Sequence, residues 1–451
     1  MARSPTSTKK EALAVAVSFS VVIPTRNRPT TLAKALATCV TSDYPDLEVL
    51  VCDNSDPEVR DAVTRVVAGA GDPRVKRIVN PGSPCSMSRN WSYAVSSARG
   101  DYVTVIGDDD GFLDFGFRIA DQVLTRTGAD VLSWPASSYR WPDCPEVNRR
   151  NTVVICHGKT AGHCQWNMQN GRELIQYVLD HPTHYYSLPM LYNAFFHRSA
   201  IDRMRGNAED FLLGQSPDIF SGVAGAIFAR KLVRLDASLS LQGLSGYSNG
   251  LAAMVANGDN GLQADFRALN AKDGRGDTRG VVNISVCAAQ VADSFNRLRE
   301  LYPQECAGLQ LTRQSLARNQ ALEICERSYS REVTLRQLHE LVDYYGKEPA
   351  AQREVQRLLE WFEKSPPKTE ASGDGVVYGF GEREAVLSGE PFGLRDIADA
   401  SRLVSRLLNI TSASEAPHAS LVRRAITRSL PPIVIDGLRH MRRQFARSGR
   451  V

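Results

Sequence analysis

The sequence predicts an α/β fold, a mainly parallel sheet flanked by helices, followed by an α-helical extension. Three observations lead there. Short β-rich apolar runs alternate with helical stretches from Phe19 to about Ala98; the fourth run empties into three consecutive aspartates; and beyond about residue 285 the pattern turns helical.

The first strand reads as Phe19-Ser20-Val21-Val22-Ile23, the second as Leu47-Glu48-Val49-Leu50-Val51 and the third as Val75-Lys76-Arg77-Ile78-Val79. The fourth is Tyr102-Val103-Thr104-Val105-Ile106. Between them Leu32, Ala35, Leu36 and Cys39 fall at helical spacing, as do Trp91, Ala94, Val95 and Ala98. Strands alternating with helices form βαβ units, and right-handed crossovers bring the turns after the strands to one sheet edge. Those turns carry Pro24-Thr25-Arg26-Asn27-Arg28, Cys52-Asp53-Asn54-Ser55-Asp56 and Asp108-Asp109-Asp110. Open α/β sheets bind their ligands at this carboxyl edge. Clustered carboxylates there suit Mg²⁺ or Mn²⁺ bridging phosphate oxygens, although acidic residues also serve in solvated turns.

Four segments together resemble the inverting family 2 glycosyltransferases with the GT-A nucleotide-diphospho-sugar transferase fold. They are Ser20 to Pro29, Val51 to Ser55, Ser88 to Tyr102, and Ile106-Gly107-Asp108-Asp109-Asp110. The resemblance covers roughly residues 18–250. It implies a donor pocket lined by Pro24, Thr25 and Arg28, with Asp53 on the nucleotide base and Asn54 beside it. In that family the last aspartate of the cluster ligates the metal, and the first or middle one helps hold ribose and diphosphate. This assigns Asp108 and Asp110 to the metal and Asp108 and Asp109 to the donor. Asn54 departs from the more acidic form of the signature.

Arg89 and Asn90 lie in the first turn of the Trp91 helix, where unpaired backbone N–H groups and the helix dipole favour an anion. A forked Arg89 contact with a diphosphate follows, against the plainer reading of a solvated surface arginine. Asp53 equally suits an Asx turn.

Inverting transfer needs a base for the acceptor hydroxyl. Ser216-Pro217-Asp218 places an N-cap, a first-turn proline and then an acid ahead of the apolar helical face Ile219, Phe220, Val223, Ala224, Ile227 and Phe228. Asp218 is the catalytic candidate by resemblance; the helix dipole alone also favours an acid there.

At 451 residues and 43% apolar composition, the chain has room for two or three domains. A net charge of +4 gives no reason to expect a nucleic-acid partner. Nine scattered cysteines favour a reducing compartment, and Cys156-His157 with His163-Cys164 match no usual zinc template. Lys9 and Lys10 before Leu13 to Ile23 imitate a signal peptide, but cleavage there would remove the first strand, so a cytoplasmic location is expected. No apolar run approaches the ~20 residues of a membrane span.

The expected organisation is a flexible N-terminus at 1–17, a catalytic domain at 18–250 split near residue 130 into nucleotide and acceptor halves, a helical extension at 251–364, and a linker with a basic tail at 365–451. Tyr185, Tyr186, Tyr192 and Trp166 are candidates for stacking on sugars or for plain packing, and the loop Gly246 to Gly250 is placed near the acceptor. The tail's Arg423, Arg424, Arg428, Arg439, Arg442, Arg443, Arg447 and Arg450 suit peripheral contact with an anionic membrane face, or simple solvation or partner docking. The first strand lacks the glycine-rich loop of nucleotidyltransferases, and no G-x-G-x-x-G supports a dinucleotide enzyme. The expectation is a metal-dependent inverting transferase taking a nucleotide-sugar, a UDP-sugar favoured, to a saccharide, lipid-linked or other hydroxyl acceptor. Bacterial-type surface polysaccharide or glycoconjugate synthesis is the expected setting. A non-catalytic nucleotide-binding subunit of the same fold is the alternative.

Overall fold

The computed structural model describes residues 16–156, 164–248, 261–327, 330–365, 379–380 and 384–409. Its first part runs β1 (Phe19–Thr25), α1 (Pro29–Val40), β2 (Leu47–Asp53), α2 (Pro57–Gly69), β3 (Val75–Val79), α3 (Met87–Ser97) and β4 (Tyr102–Val105). The two predicted helices bury the residues their spacing selects: Leu32, Ala35, Leu36 and Cys39 in α1, and Trp91, Ala94 and Val95 in α3. Strands β1 and β2 run two residues further than the apolar pattern suggests, ending on Thr25 and Asp53.

These strands pair in parallel in the order β3-β2-β1-β4. The chain first winds outward from β1 and then returns to its other side, so a topological switch point opens between β1 and β4. Alternation along β1 serves two cores. Phe19, Val21 and Ile23 pack with α1, and Val22 packs with Trp91 and Val95 of α3.

The second part adds β5 (Gly111–Phe112), α4 (Gly116–Thr127), β6 (Val131–Ser133), β7 (Ser137–Arg140), β8 (Thr152–Cys156), β9 (Trp166–Gln169), α5 (Gly171–Asp180), β10 (Ala194–His197), α6 (Arg198–Arg205), α7 (Pro217–Phe228), β11 (Leu232–Leu235) and β12 (Ser240–Leu244). Strand β10 joins the first sheet antiparallel to β4 and is followed by β6, β11 and β9. A second sheet, containing β5, β12, β7 and β8, lies over the aspartate turn.

The helical extension contains Cys287–Leu301, Arg313–Glu326, Arg331–Tyr344 and Pro349–Lys364. The first of these is buried on both faces: Val291, Phe295 and Leu298 join the catalytic core, whereas Ala288, Ala289 and Ala292 join the extension's own core. Residues 384–409, read from composition as linker and tail, instead return to the catalytic layer. β14 (Glu384–Ser388), preceded by β13 (Gly379–Phe380), extends the second sheet beside β8, and the helix Ile397–Asn409 packs on α1. Ser401 and Ser405 of that helix bond the backbone of Phe112 and Asp114, just after the aspartates. The basic stretch from Arg423 onward and the N-terminal lysines lie outside the described residues. Among the described residues no helix is long and apolar enough to cross a membrane.

Candidate active site

Strands β1 and β2 end in register, Thr25 opposite Asp53, and the aspartates follow β4 on the other side of β1. The Thr25 hydroxyl donates to Asp108 at 2.6 Å, and the Arg28 guanidinium donates to its other oxygen at 3.2 Å. Thr25, Arg28 and Asp108 therefore meet as expected. Pro24 lies beyond the last β1 residue paired with β4, Val22, so its missing N–H interrupts no ladder on that side.

The neighbouring aspartates are fixed by the second sheet. Asp109 accepts the Ser245 hydroxyl at 2.6 Å, and its backbone carbonyl accepts Trp141 Nε1 at 3.1 Å. Asp110 accepts the backbone N–H of Gly107 at 2.7 Å and of Gly243 at 2.6 Å. Gly243 admits no side chain, because a Cβ there would stand 1.7 Å from the Asp109 carbonyl oxygen. Ser245, Gly243 and Trp141 were not singled out from the sequence. The glycine inside β12 at Gly243, followed by Ser245-Gly246, was the available signal.

Asp108, Asp109 and Asp110 are only 3%, 6% and 9% exposed. Burial, and then the charge of Asp108, pushes the Asp109 carboxyl up to about 6; burial, and then the charge of Asp109, pushes Asp110 up to about 8. Burial opposes the Arg28 charge, but Asp108 and Asp109 outweigh it and hold the guanidinium protonated. Arg28 thus faces Asp108 and Asp109, and a divalent cation would favour the ionised form of the whole cluster. Among the described residues no three His, Cys, Asp or Glu side chains form a ready cage. The fit is therefore to a hard cation held by one or two carboxylates with phosphate oxygens completing its shell.

Asp218 occupies the second position of α7, after Pro217. Ser216 sits at the N-cap but makes no cap bond; its hydroxyl turns to Gln290 Oε1 at 3.2 Å. Burial raises the half-buried Asp218 carboxyl above the usual aspartate range, with the Ile219 and Asp218 N–H groups opposing. Tyr192 is within electrostatic reach of both Asp218 and Asp110, and its hydroxyl is raised by burial and then by the charges of Asp218, Cys287 and Asp110. Tyr192 lines a small recess beside the cluster with Ile106, Asp110, Ala136, Ser240, Leu241 and Gln242.

Four expected donor residues are engaged inside the protein. Asp53 is fully buried, accepting Ser55 N–H at 2.9 Å as an Asx turn and Arg77 at 2.6 and 3.1 Å. Asn54 clamps the Cys85 backbone, donating to its carbonyl at 2.8 Å and accepting its N–H at 2.9 Å. Asn90 is 2% exposed and faces Cys52, at 3.2 Å from its sulfur, because its place on α3 points to the sheet. Arg89 does stand at the N-terminus of α3, but it pairs with Asp273 at 3.3 Å. Nothing local to these residues forecasts partners as distant as Arg77 or Asp273.

Trp166 lies under the Arg126 guanidinium, 4.8 Å from its ring centre, in strand β9, so it packs and does not line the recess. Tyr186 is exposed and Tyr185 partly buried. Gly246 N–H bonds Asp143 at 3.0 Å; Asn249 and Gly250 lie outside the described residues, as do His157 and His163. None of the nine cysteines forms a disulfide.

An open sheet with a carboxylate cluster at its switch point defines an α/β ligand-binding domain. Residues 20–131 match the family model described as glycosyl transferase family 2. Over 96 residues it is 33% identical to the GalNAc(5)-diNAcBac-PP-undecaprenol beta-1,3-glucosyltransferase of Campylobacter jejuni. That match covers 21% of this chain and 30% of the relative, so the chain spans less than a third of that curated relative's length. Among solved structures it is similar to S. aureus TarS 1-349 in complex with UDP-GlcNAc, at TM-score 0.42 and 13% identity over 82% of this chain and 99% of that one. It is also similar to mannosyltransferase PcManGT from Pyrobaculum calidifontis in complex with GDP-Man and Mn²⁺, at TM-score 0.36 and 13% identity over 77% and 86%. Likeness at these scores bears on neither donor nor acceptor.

Proposed function

We propose that the chain is a metal-dependent inverting glycosyltransferase that moves a sugar from a nucleotide-sugar, a UDP-sugar favoured, to a hydroxyl acceptor. The observation that carries this reading is the buried Asp108-Asp109-Asp110 cluster at the switch point of the sheet, held from one side by Thr25 and Arg28 and from the other by Gly243 and Ser245. Asp108 and Asp110 would hold the cation, Mn²⁺ or Mg²⁺, whose charge would stabilise the departing diphosphate. Thr25 and Arg28 fix the Asp108 carboxylate in one orientation. Asp218 takes the acceptor proton; a raised carboxyl is a stronger base than an ordinary aspartate, which suits that transfer.

The Campylobacter jejuni relative is named for an undecaprenol-linked substrate, which supports a lipid-linked saccharide acceptor and a role in glycoconjugate synthesis. A cytoplasmic placement, with contact to the inner membrane face through the basic tail, agrees with such an acceptor.

The test is Asp218→Asn assayed for transfer and for metal-dependent nucleotide binding. Lost transfer with retained binding supports the base assignment, whereas transfer at the wild-type rate removes Asp218 from the chemistry. A wild-type protein that binds nucleotide and never turns over would be a binding subunit instead.

A further inference from the structure

The N-terminus of α3, where the sequence places a donor diphosphate, already holds an anion from the same chain. After the helix Gly261–Lys272, Asp273 accepts the Ser86 backbone N–H at 2.6 Å with one oxygen and the Arg89 guanidinium at 3.3 Å with the other. Its side chain is 4% exposed. Burial works against its charge, yet Ser86 and Arg89 outweigh burial and hold the carboxyl below the usual range.

The segment is tied across the donor edge at two further points. Asp265 accepts from the Arg26 side chain, at 3.0 Å from Nε and 3.1 Å from Nη2, in the turn after β1. Lys272 donates to the Pro84 carbonyl at 2.7 Å, in the loop before α3. Arg26 is available for this because Asn27 adopts φ 59° and sends Arg26 and Arg28 to different partners, Asp56 and Asp265 for one and Asp108 for the other. Beyond Asp273 the chain runs beside the approach to α7, where Arg275 pairs with Asp210 and Gln215 donates to the Gly276 carbonyl at 3.0 Å.

The one buried side chain of the helix Gly261–Lys272 is Asn270, 1% exposed, and neither amide atom of Asn270 has a hydrogen-bond partner. An unpaired buried amide costs stability, and the Asp265, Lys272 and Asp273 contacts are ties that fasten the segment across the donor edge. These ties meet the same Arg89 and backbone N–H that a diphosphate would use.

We propose that residues 261–277 are a strap that closes the donor site in the absence of substrate, with Asp273 standing in for a donor phosphate, and that a nucleoside diphosphate displaces it. The proposal rests on the donor-site reading above and adds a regulation to it. A competing internal carboxylate lowers apparent donor affinity by the fraction of molecules in which the seat is free.

The experiment measures dissociation constants for UDP, GDP, dTDP and CDP with Mn²⁺ in the full chain and in Asp273→Asn, together with hydrogen exchange across 261–277 with and without the nucleotide that binds. Asp273→Asn keeps the size of the side chain and its ability to accept from Ser86, and removes the charge. Nucleotide binding about tenfold tighter in the variant, and faster exchange of 261–277 in the wild type on nucleotide addition, are the expected results. Unchanged or weaker binding in a folded variant overturns the strap, as does slower exchange in the wild type, which would make 261–277 a lid that nucleotide closes. If Asp273→Asn fails to fold, the wild-type exchange result decides alone. Absence of all nucleotide binding by both proteins removes the donor reading and the strap with it; normal binding that ignores Asp273 removes the strap only.

Discussion

The Thr25 hydroxyl and the Asp108 carboxylate are 2.6 Å apart, joining the end of β1 to the turn after β4 across 83 residues of sequence. This bond crosses the switch point of the sheet and sets the orientation of the first aspartate in the cluster.

Thr25→Val keeps the shape and leaves a buried carboxylate oxygen without its donor. A loss of about 1–3 kcal/mol in unfolding free energy is expected, read by urea denaturation, with weaker metal-dependent nucleotide binding by calorimetry. Unchanged values for both would show that the bond neither stabilises the edge nor orients Asp108.

Gly243 is the corresponding constraint from the second sheet. Gly243→Ala should displace β12, break the N–H bond to Asp110 and cost about 3 kcal/mol or more. A variant that melts with the wild type would contradict the close approach of residue 243 to the Asp109 carbonyl.

Asp53 is fully buried with Arg77 as its cationic partner, and that arginine's side chain is 24% exposed. Arg77→Ala should cost about 3 kcal/mol because it strands a buried charge, and the double variant Arg77→Ala with Asp53→Asn should recover part of the loss. No recovery in that double-mutant cycle would mean that the pair is not the source of the effect.

The raised Asp218 carboxyl carries a pH signature. A base must be deprotonated, so kcat/KM should climb with pH through an acid limb lying above the ordinary aspartate value of about 3.9, and Asp218→Asn should abolish the residual rate that defines that limb. A limb at the ordinary value would assign proton acceptance to another group.

Stability should depend on pH at the opposite end of the sheet. Burial works against the Glu48 charge, but the Ser20 hydroxyl, the Arg99 N–H and Lys76 outweigh it and hold the carboxyl below the usual range. A depressed folded-state value gives stability that is present above about pH 4.3 and is lost as pH falls through the folded value. Glu48→Gln should flatten that acid loss; an unchanged acid profile would show that other carboxylates set it.

What the sequence reveals follows the range of the forces involved. Strand patterning and right-handed crossovers act locally, so β1 to β4, the meeting of Thr25, Arg28 and Asp108, and the place of Asp218 on α7 were all legible. Asp53, Asn54, Asn90 and Arg89 were placed at the right turns and helix end, but their side-chain partners come from elsewhere. Gly243 and Ser245 reach the aspartates from over 130 residues away, and no periodicity encodes that approach. The return of residues 384–409 was hidden because a short strand and one helix lie between a linker-like stretch and a basic tail that dominate the composition.

The most direct measurement is release of nucleoside diphosphate from UDP-, GDP-, dTDP- and CMP-sugars, CMP itself being the product in the last case, with Mn²⁺ or with EDTA, in the wild type and in Asp110→Asn. The account predicts release from one donor class that requires the metal and disappears in Asp110→Asn. Release that survives both EDTA and the substitution would contradict a metal-dependent transferase built on these aspartates.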